Sequence, residues 1–456
     1  MNNLTGIVLS AGAGTRMKSK LPKVLHKVLG RTMVDHVIDV LDELDASKKV
    51  VVYGHGKDMV HSSLESRNVR FALQAEQKGT GHAVMVAKEH IGDDDNVLIL
   101  YGDTPLIRSS SIKEFCDEHE RQGNDLSILT TIMENPFGYG RIIREEDGRV
   151  TGIVEQKDGS QEQLLIKEIN SGIYLVNGRL LKDSLELIEN NNNQGEYYLT
   201  DIVKILSGQG KKVGCHILED PNEVFGVNTR KHLSIASQML QERVCDALME
   251  NGVTILNPNN VYIEKNVLIG NDTIVCPGVF ITGDTEIGSE CYIGVNSRIE
   301  DSKIMDHVEV NNSTVLESKI DSYTKVGPYA YLRPKSNVGK NTKIGDFVEI
   351  KNSNIGDGTK ISHLAYVGDG DVGKDVNIGC GVVFVNYDGS SKSRTVVGDN
   401  SFIGCNVNLV APVEVQENAY VAAGSTITKT VPKDSLGIAR ERQTNIQGWV
   451  TRRKND

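Results

Sequence analysis

The chain has 456 residues, 39% hydrophobic and 24% charged, which is too long for one ordinary core and predicts two or three globular domains. Its formal net charge of −11 excludes a typical nucleic-acid-binding surface, because neutralising a phosphate backbone requires clustered basic residues. No apolar run predicts membrane insertion, and seven cysteines that are never spaced CxxC predict a cytoplasmic protein without a disulfide framework.

The first 230 or so residues alternate short apolar strands with amphipathic stretches, which is typical of an α/β domain with a mostly parallel sheet. MNNLTGIVLS at the start predicts a first strand over Gly6–Leu9 rather than a signal peptide. Val50–Tyr53 and Val97–Tyr101 are further predicted strands. Between the first strand and Val50–Tyr53, helical spacing predicts one helix, from the residues Met33, Val37, Val40, Leu41 and Leu44.

A glycine-rich turn, SAGAGTRM, follows the first predicted strand, and LPK comes shortly after it. Glycines let a backbone approach phosphate oxygens and present N–H groups to them. Arg16 and Lys23 would add fixed positive charge for a triphosphate during displacement at its α-phosphorus. The pattern differs from G-x-x-x-x-G-K-[ST], so it does not predict a P-loop ATPase.

Asp103 lies just after the predicted strand Val97–Tyr101, in the segment Tyr101-Gly102-Asp103. A carboxylate at the carboxyl end of a parallel strand lies where α/β sheets bind ligands. Taken alone, the residue is more typical of a turn than of a ligand-binding site. Together with the glycine-rich turn it predicts an oxygen ligand for Mg2+.

The segment from Thr229 to Asn251 predicts a single connecting helix. Beyond Gly252 the sequence repeats every six residues, with one apolar residue in each repeat and glycine often following it. This period predicts a three-sided β-solenoid of about nine coils, in which the apolar residue points inward. The predicted inward positions are Ile263, Ile269, Val275, Ile281, Ile287, Ile293, Ile299, Ile304, Val310, Leu316, Ile320, Val326, Leu332, Val338, Ile344, Ile350, Ile355, Ile361, Val367, Val372, Ile378, Phe384, Val397, Ile403, Leu409, Val415, Val421 and Ile427.

Arg333 and Lys351 each follow an inward residue and lie 18 residues apart, so three-sided coils would stack them one strand spacing, ~4.8 Å, apart. Two stacked cations favour an anion such as a sugar phosphate, although two solvated charges are the alternative. Tyr366 would lie at the same edge one coil further on. His363, predicted outward at a nearby corner, is placed to act as a general base for an attacking amine.

The repeat is interrupted between Phe384 and Val397 by NYDGSSKSR. Loops extruded from a regular scaffold often carry function. Lys392 within this loop could meet phosphates of coenzyme A, although an exposed loop lysine is the ordinary alternative.

These motifs occur in one order along the whole chain, and in that order they resemble bacterial N-acetylglucosamine-1-phosphate uridylyltransferases that also acetylate glucosamine-1-phosphate. The quoted segments are LSAGAGTRM, LPK, LQAEQKGTGHA, YGDTPL, FGYGRI, IVEQKD, EINSGIY, GVNTR, RPKSNVG, KNSNIG, SHLAYVGD and NYDG. The resemblance implies a Rossmann-like nucleotidyltransferase domain over 1–230, a helical linker over 231–251, and a left-handed β-helix acetyltransferase domain over 252–456 that forms a homotrimer. Its substrates would be UTP, acetyl-CoA, glucosamine-1-phosphate and N-acetylglucosamine-1-phosphate.

For the uridylyl site, the resemblance implies a role for each matched position. Arg16 and Lys23 would act on the phosphates, and Asp103 and Asn228 would bind Mg2+. The whole predicted binding set is Leu9, Ala11, Gly12, Lys23, Gln74, Gly79, Thr80, Tyr101, Asp103, Gly140, Glu155, Asn170 and Asn228.

For the acetyl site, the resemblance implies that His363 is the base and that the sugar phosphate is held by Arg333, Lys351, Tyr366 and Asn377. The predicted acetyl-CoA contacts are Cys380, Asn386, Tyr387, Lys392, Cys405, Ala423 and Arg440. Cys380 and Cys405 depart from the family, which more often carries Ala and Ser there. We expect sensitivity to thiol reagents.

Two other functions remain possible from the sequence. The solenoid could serve only for oligomerisation or regulation in a single-function nucleotidylyltransferase, in which case Arg333, Lys351 and His363 would be dispensable. The chain could instead be an assembly scaffold, although GAGTRM, PK and YGD disfavour this.

Overall fold

The computed structural model describes residues 3–453 and divides into two compact units, Met1–Leu240 and Gln241–Asp456. The division falls within a long helix, where the sequence predicts the connecting helix. The helices are α1 Met33–Glu43, α2 Lys57–Ser63, α3 Thr80–Met85, α4 Ser109–Gln122, α5 Gly178–Leu185, α6 Asp201–Gly208, α7 Arg230–Glu250 and α8 Trp449–Arg453. None of the helices within 3–453 is long and apolar enough to cross a membrane.

The first unit is built on one large sheet and a small two-stranded one. Its strands are β1 Leu4–Leu9, β2 Lys27–Val28, β3 Arg31–Thr32, β4 Lys48–Tyr53, β5 Arg70–Leu73, β6 Asn96–Tyr101, β7 Leu126–Ile132, β8 Gly140–Arg144, β9 Val150–Val154, β10 Glu168–Asn177 and β11 Val213–Leu218. The order in the large sheet is β11-β7-β10-β6-β1-β4-β5, with β8 and β9 attached beside β10. The predicted strands and the helix beginning at Met33 are therefore confirmed.

The large sheet is mixed rather than mostly parallel. β1, β4, β5 and β6 pair in parallel, as does β11 with β7, but β10 runs antiparallel to β6, β7 and β8, and β8 to β9. After β7 the chain continues through the short β8–β9 hairpin and not through a helical crossover. Parallel pairing needs a long crossover, so strands joined by such short connections pair antiparallel.

The second unit is a parallel β-helix with three sheets, which we call the first, second and third faces. This architecture is consistent with the expected left-handed β-helix. The first face contains Thr254–Ile255, Ile274–Val275, Tyr292–Ile293, Glu309–Val310, Lys325–Val326, Lys343–Asp346, Lys360–His363, Asn377–Ile378, Phe402–Ile403, Tyr420–Val421 and Leu436–Gly437. The second face contains Tyr262–Ile263, Phe280–Thr282, Arg298–Glu300, Thr314–Leu316, Tyr331–Leu332, Glu349–Lys351, Tyr366–Gly368, Val383–Val385, Asn408–Val410 and Thr426–Ile427. The third face contains Leu268–Ile269, Glu286–Ile287, Lys303–Ile304, Lys319–Ile320, Asn337–Val338, Asn354–Ile355, Gly370–Val372, Thr395–Val397 and Val413–Val415.

The inward apolar residues form one continuous core along the solenoid, as the six-residue period predicts. One predicted position is wrong, because Val315 is fully buried where Leu316 was expected inward. Val315 pairs with Ile299, sixteen residues earlier, so the coils here are shorter than eighteen residues. In such coils a strict period of six predicts the inward residue one position too late.

The corners satisfy their own backbone groups. Thr359 donates its hydroxyl to the carbonyl of Gly373 at 2.8 Å and accepts the N–H of Val376 at 3.1 Å. Many corners also use a residue with positive φ, such as Asn341 at 53° and Asn406 at 53°. Asparagine tolerates this conformation better than most side chains, which explains its frequency between the repeats.

Ile320→Ala tests whether the inward column carries the stability of the solenoid. Ile320 is fully buried, so its truncation should lower the free energy of unfolding by about 2–5 kcal/mol. Lys319→Ala, at the exposed neighbouring position, should change it by less than about 0.5 kcal/mol. Urea titrations followed by circular dichroism measure both variants, and equal effects would contradict the inward assignment.

Candidate functional sites

A cavity of about 300 Å3 opens in the first unit at the carboxyl ends of β1 and β6. Nine residues of the predicted nucleotide set line it: Leu9, Ala11, Gly12, Lys23, Gln74, Gly79, Thr80, Tyr101 and Asp103. The sequence analysis missed five other lining residues, which are Ser10, Val24, Gln77, Ala83 and Glu196. Of these, Ser10 lies inside the quoted glycine-rich motif, and that motif could have identified it.

Two glycines allow the close backbone approaches that shape this cavity. A Cβ on Gly14 would lie 2.6 Å from the Cβ of Lys23, so the glycine-rich turn packs directly against the residue that supplies the charge. A Cβ on Gly79 would lie 2.5 Å from the carbonyl oxygen of Tyr197, and Gly79 has a φ of 105°. A larger residue at either position would displace a wall of the cavity.

The cationic and oxygen-bearing side chains predicted from the sequence meet at one end of this cavity. The Lys23 ammonium forms an ion pair with Asp103 and donates to Asn228 Oδ1 at 3.1 Å. Arg16 donates to the same Asn228 oxygen at 3.0 Å. The main chains also meet there, because the Val227 N–H donates to the Asp103 carbonyl at 2.9 Å.

Asp103 and Asn228 fit a hard divalent cation. Their side-chain oxygens already face two positive charges, since Lys23 contacts both residues and Arg16 donates to the Asn228 oxygen. Mg2+ is usually bound by one or two protein oxygens together with water and substrate phosphates. No group of three His, Cys, Asp or Glu side chains within 3–453 is arranged around a common metal position.

Gln74 and Gln77 fix the opposite side of the cavity. Gln74 is buried and donates to the Gly79 carbonyl at 3.1 Å. Gln77 donates to the Ala11 carbonyl at 3.2 Å and so ties this segment to the glycine-rich turn. Thr80 accepts the N–H of Leu199 at 3.1 Å.

Gly140, Glu155 and Asn170 also come together, as the sequence predicts. Gly140 pairs with Asn170 across β8 and β10. A Cβ on Gly140 would lie 3.6 Å from both the Asn170 Cβ and Glu155 Oε1. Burial raises the pKa of Glu155, and neighbouring Asp158 raises it further.

Tyr101 forms part of the cavity wall. Its ring lies against Gly172, where a Cβ would approach a ring carbon to 2.5 Å. Burial raises the pKa of its hydroxyl well above the ordinary value, while a hydrogen bond with Thr80 opposes that shift. The Tyr101 hydroxyl is therefore neutral, and it lines the cavity as a hydrogen-bonding group and not as an anion.

In the second unit, the predicted stacking of Arg333 and Lys351 is confirmed. Leu332 pairs with Ile350 on the second face, and the Arg333 N–H donates to the Ile350 carbonyl at 2.8 Å. Ile350 in turn pairs with Val367, which brings Lys351 beside Gly368 and Tyr366 beside Glu349. Asn377 lies instead on the first face, in register with Lys360 and Phe402.

Each of these two cations has a carboxylate partner that the sequence analysis missed. Arg333 Nη1 lies 2.8 Å from Glu349 Oε1, and Lys351 Nζ lies 3.5 Å from Asp369 Oδ2. Burial of Asp369 opposes its ionisation, but hydrogen bonds from Asn352 and Asn386 and the charge of Lys351 outweigh burial and lower its pKa. The same coil arithmetic that stacks Arg333 and Lys351 could have identified Glu349, which immediately precedes Ile350.

The loop after Val385 brings two further predicted residues, Asn386 and Lys392, to the cluster formed by Arg333, Lys351 and their two carboxylate partners. Asn386 donates to Asp369 and, at 3.4 Å, to the Tyr366 hydroxyl. Lys351 lowers the pKa of Lys392, and Arg333 contributes to the same shift. Three cations then face the carboxylates of Glu349 and Asp369, so the cluster keeps excess positive charge. Tyr387 pairs with Lys392 at the base of the loop.

His363 is outward, as predicted, and its ring is oriented by a carboxylate. Its Nδ1 lies 2.7 Å from Asp346 Oδ1, one coil earlier on the first face. This hydrogen bond lowers the pKa of Asp346. A carboxylate that accepts a hydrogen bond from the Nδ1–H leaves Nε2 unprotonated, with its lone pair free to act as a base.

The remaining predicted acetyl-CoA residues lie on the first face or in the tail. Cys380, Cys405 and Ala423 are exposed at equivalent places in successive coils. The Arg440 side chain lies near Gly424, 3.7 Å from where a Cβ on that glycine would be. The tail contains α8, with Arg453 lying over the Trp449 ring, and its last three residues fall outside the described range.

Comparisons with known proteins match both units. The nucleotidyl transferase family model matches residues 5–222, and the bacterial transferase hexapeptide model, of six repeats, matches residues 394–429. A relative named bifunctional protein GlmU from Clostridioides difficile is 53% identical over 99% of this chain and 98% of the relative. Relatives of the same name are 55% identical in Alkaliphilus oremlandii and 51% identical in Alkaliphilus metalliredigens, each over 99% of this chain and 98% of the relative.

The lowered pKa of Lys392 gives a direct test of the cation cluster. Lys351→Met removes the main cause, so the pKa of Lys392 should rise toward the ordinary lysine value. Lys374→Met, whose ammonium faces Asp357, should leave it unchanged. NMR titration of carbon-13-methylated lysines measures the shift, and no response to Lys351→Met would contradict the clustered arrangement.

Proposed function

The chain belongs to the family of bifunctional GlmU proteins, and on this premise we propose how its residues share the two transfer reactions of UDP-N-acetylglucosamine synthesis. It is an enzyme with acetyltransferase and uridylyltransferase activities. We assign acetyl transfer to the solenoid cluster and uridylyl transfer to the cavity of the first unit. The observation that carries the assignment is the cluster of Arg333, Lys351 and Lys392, because a purely structural solenoid would not need to hold stacked cations together.

In acetyl transfer, Arg333 and Lys351 bind the phosphate of glucosamine-1-phosphate, with Tyr366 beside it. The resemblance assigns Lys392 and Asn386 to acetyl-CoA, but both lie at this cluster, and we propose that they also contact the phosphate. Asn377, on the first face, contributes to sugar binding. His363, oriented by Asp346, takes a proton at Nε2 as the amine attacks the thioester of acetyl-CoA. The amine attacks directly, so no covalent enzyme intermediate forms.

We propose that acetyl-CoA lies along the first face. Cys380, Cys405 and Ala423 present small side chains there, and Arg440 lies near Gly424. Tyr387, in the loop with Lys392, completes the set of cofactor contacts.

In uridylyl transfer, N-acetylglucosamine-1-phosphate attacks the α-phosphorus of UTP and pyrophosphate leaves. The N–H groups around Ala11 and Gly12 face the phosphates, and Arg16 and Lys23 neutralise charge there. Gln74, Gly79 and Thr80 hold the uracil, with Leu9 and Tyr101 as walls. Gly140, Glu155 and Asn170 hold the sugar. Positioning and charge neutralisation account for most of such a transfer.

Asp103 and Asn228 would hold Mg2+ at the end of the cavity that Lys23 now bridges. The ion would supply charge neutralisation on the phosphate oxygens. With phosphates bound, Lys23 can exchange its contacts with Asp103 and Asn228 for contacts with phosphate oxygens.

We further propose that residues 1–230 carry the uridylyl site, 231–251 link the domains, and 252–456 carry the acetyl site. The hexapeptide repeats support a homotrimer. A cytoplasmic location agrees with seven cysteines and no CxxC pair.

Asp103→Ala should lower pyrophosphate release from UTP and N-acetylglucosamine-1-phosphate by about 10²–10³-fold, because the oxygen that holds the cation is lost. CoA release from acetyl-CoA and glucosamine-1-phosphate should be unchanged. Asp117→Ala, exposed on α4, is the control and should change neither rate. If the variant folds and loses both activities, the two sites are not independent.

His363→Ala should have the converse effect, lowering CoA release by about 10²–10⁴-fold with pyrophosphate release intact. His307→Ala is a matched control in the same solenoid, since His307 stacks on Tyr323 away from the cluster. Full acetyltransferase activity in His363→Ala would favour a single-function nucleotidylyltransferase with a structural solenoid.

A further inference from the structure

Two exposed cysteines occupy one column of the solenoid. On the first face, Ile361, Ile378, Ile403 and Val421 pair in register through successive coils. Two residues after these inward positions lie, in order, His363, Cys380, Cys405 and Ala423. Because of the inserted loop the two cysteines are 25 positions apart in the sequence, yet the register makes them direct neighbours.

The two cysteines also have the same orientation. The Asn406 N–H donates to the Cys380 carbonyl at 2.7 Å, so the pairing continues through this corner. Each cysteine precedes a residue in the left-handed region, Gly381 with φ 75° and Asn406 with φ 53°. Equivalent turns on stacked coils direct the two Cα–Cβ bonds the same way, and both side chains are exposed.

This spacing favours a bridged dithiol over a disulfide. Parallel Cα–Cβ bonds keep the two Cβ atoms about one strand spacing apart, ~4.8 Å. Disulfides need Cβ atoms ~3.5–4.5 Å apart, so a direct bond would require the coils to move. A ligand atom between the sulfurs extends the bridge and removes that requirement. Both thiols are free within residues 3–453.

We propose that Cys380 and Cys405 form a binding site for thiophilic electrophiles that bridge two sulfurs, of which trivalent organoarsenicals are the type. Both S–H bonds break and two As–S bonds form. The oxygen of R–As=O leaves as water with the two protons, and no electrons are transferred. The bridged adduct fills the first face between His363 and Ala423 and blocks acetyl transfer. This last consequence rests on the proposed position of acetyl-CoA.

The other cysteines do not offer such a site. Cys116, Cys245, Cys276 and Cys291 are buried, and Cys215 is half-buried on β11. Burial raises the pKa of Cys116 to about 12, and that of Cys215 likewise to about 12, so neither is a ready thiolate.

Phenylarsine oxide added to the full-length protein tests the site. Intact-mass spectrometry should show one arsenical per chain with loss of one water. The label should be removed by 2,3-dimercaptopropanol and resist a monothiol such as 2-mercaptoethanol. Cys380→Ser and Cys405→Ser should each abolish the stable adduct, and Cys215→Ser should retain it. An adduct that survives either single exposed-cysteine change would overturn the site.

Activity measured on the same samples tests the consequence. Labelling should lower acetyl transfer at least ~10-fold relative to the same untreated protein, with uridylyl transfer unchanged as the internal control. Saturating acetyl-CoA should slow the labelling. Stable labelling with full acetyl transfer would overturn the blocking of the first face. If untreated protein has no acetyltransferase activity, the proposed function fails, while the mass measurements still decide the dithiol site.

Discussion

The vertical register of the solenoid is the constraint on which the proposed acetyl site depends. One apolar side chain from each short side points into a shared core, and every coil is hydrogen-bonded to the next. Each fully buried Val or Ile contributes roughly 1.5–3 kcal/mol, so slipping a coil by one residue would expose a whole set of them. The register therefore fixes which outward side chains meet. Because the core fixes the alignment, three pairs of residues lie next to each other in adjacent coils: Arg333 and Lys351, Asp346 and His363, and Cys380 and Cys405.

The proposed uridylyl site depends on a different feature of the fold, which is that the ends of neighbouring parallel strands lie at the same edge of the sheet. β1 and β6 are parallel neighbours, so the glycine-rich turn after β1 and Asp103 after β6 emerge at the same edge. Gly14 lets the turn approach Lys23, whose ammonium then reaches both Asp103 and Asn228. In the proposed function, a cation thus already occupies the position where phosphate charge is neutralised.

Much of this could be predicted from the sequence because the repeat and the motifs are local signals. The six-residue period located almost every inward residue and the stacking of Arg333 on Lys351. The period failed at Leu316. The coil there is shorter than eighteen residues, so Val315 is the inward residue, and a fixed period of six cannot account for a shorter coil. The antiparallel course of β10 was missed because strand direction depends on the connection and not on the apolar pattern. Asp369 was missed although it ends the quoted segment SHLAYVGD, because its role comes from contacts with Asn352 and Asn386 in neighbouring coils, which the segment alone does not reveal.

The unpredicted carboxylates explain how stacked cations remain stable before substrate arrives. Arg333 and Lys351 would repel each other in adjacent coils, but Glu349 and Asp369 each neutralise one of them. These carboxylates also hold the two cations in fixed positions, which reduces the side-chain entropy lost when an anion binds. In the proposed site a phosphate competes with these carboxylates, so its binding requires a ligand that also contacts Lys392 and the Tyr366 hydroxyl. An ion-paired cluster of this kind discriminates against small anions, because only a ligand with several contacts outweighs the pairs already present.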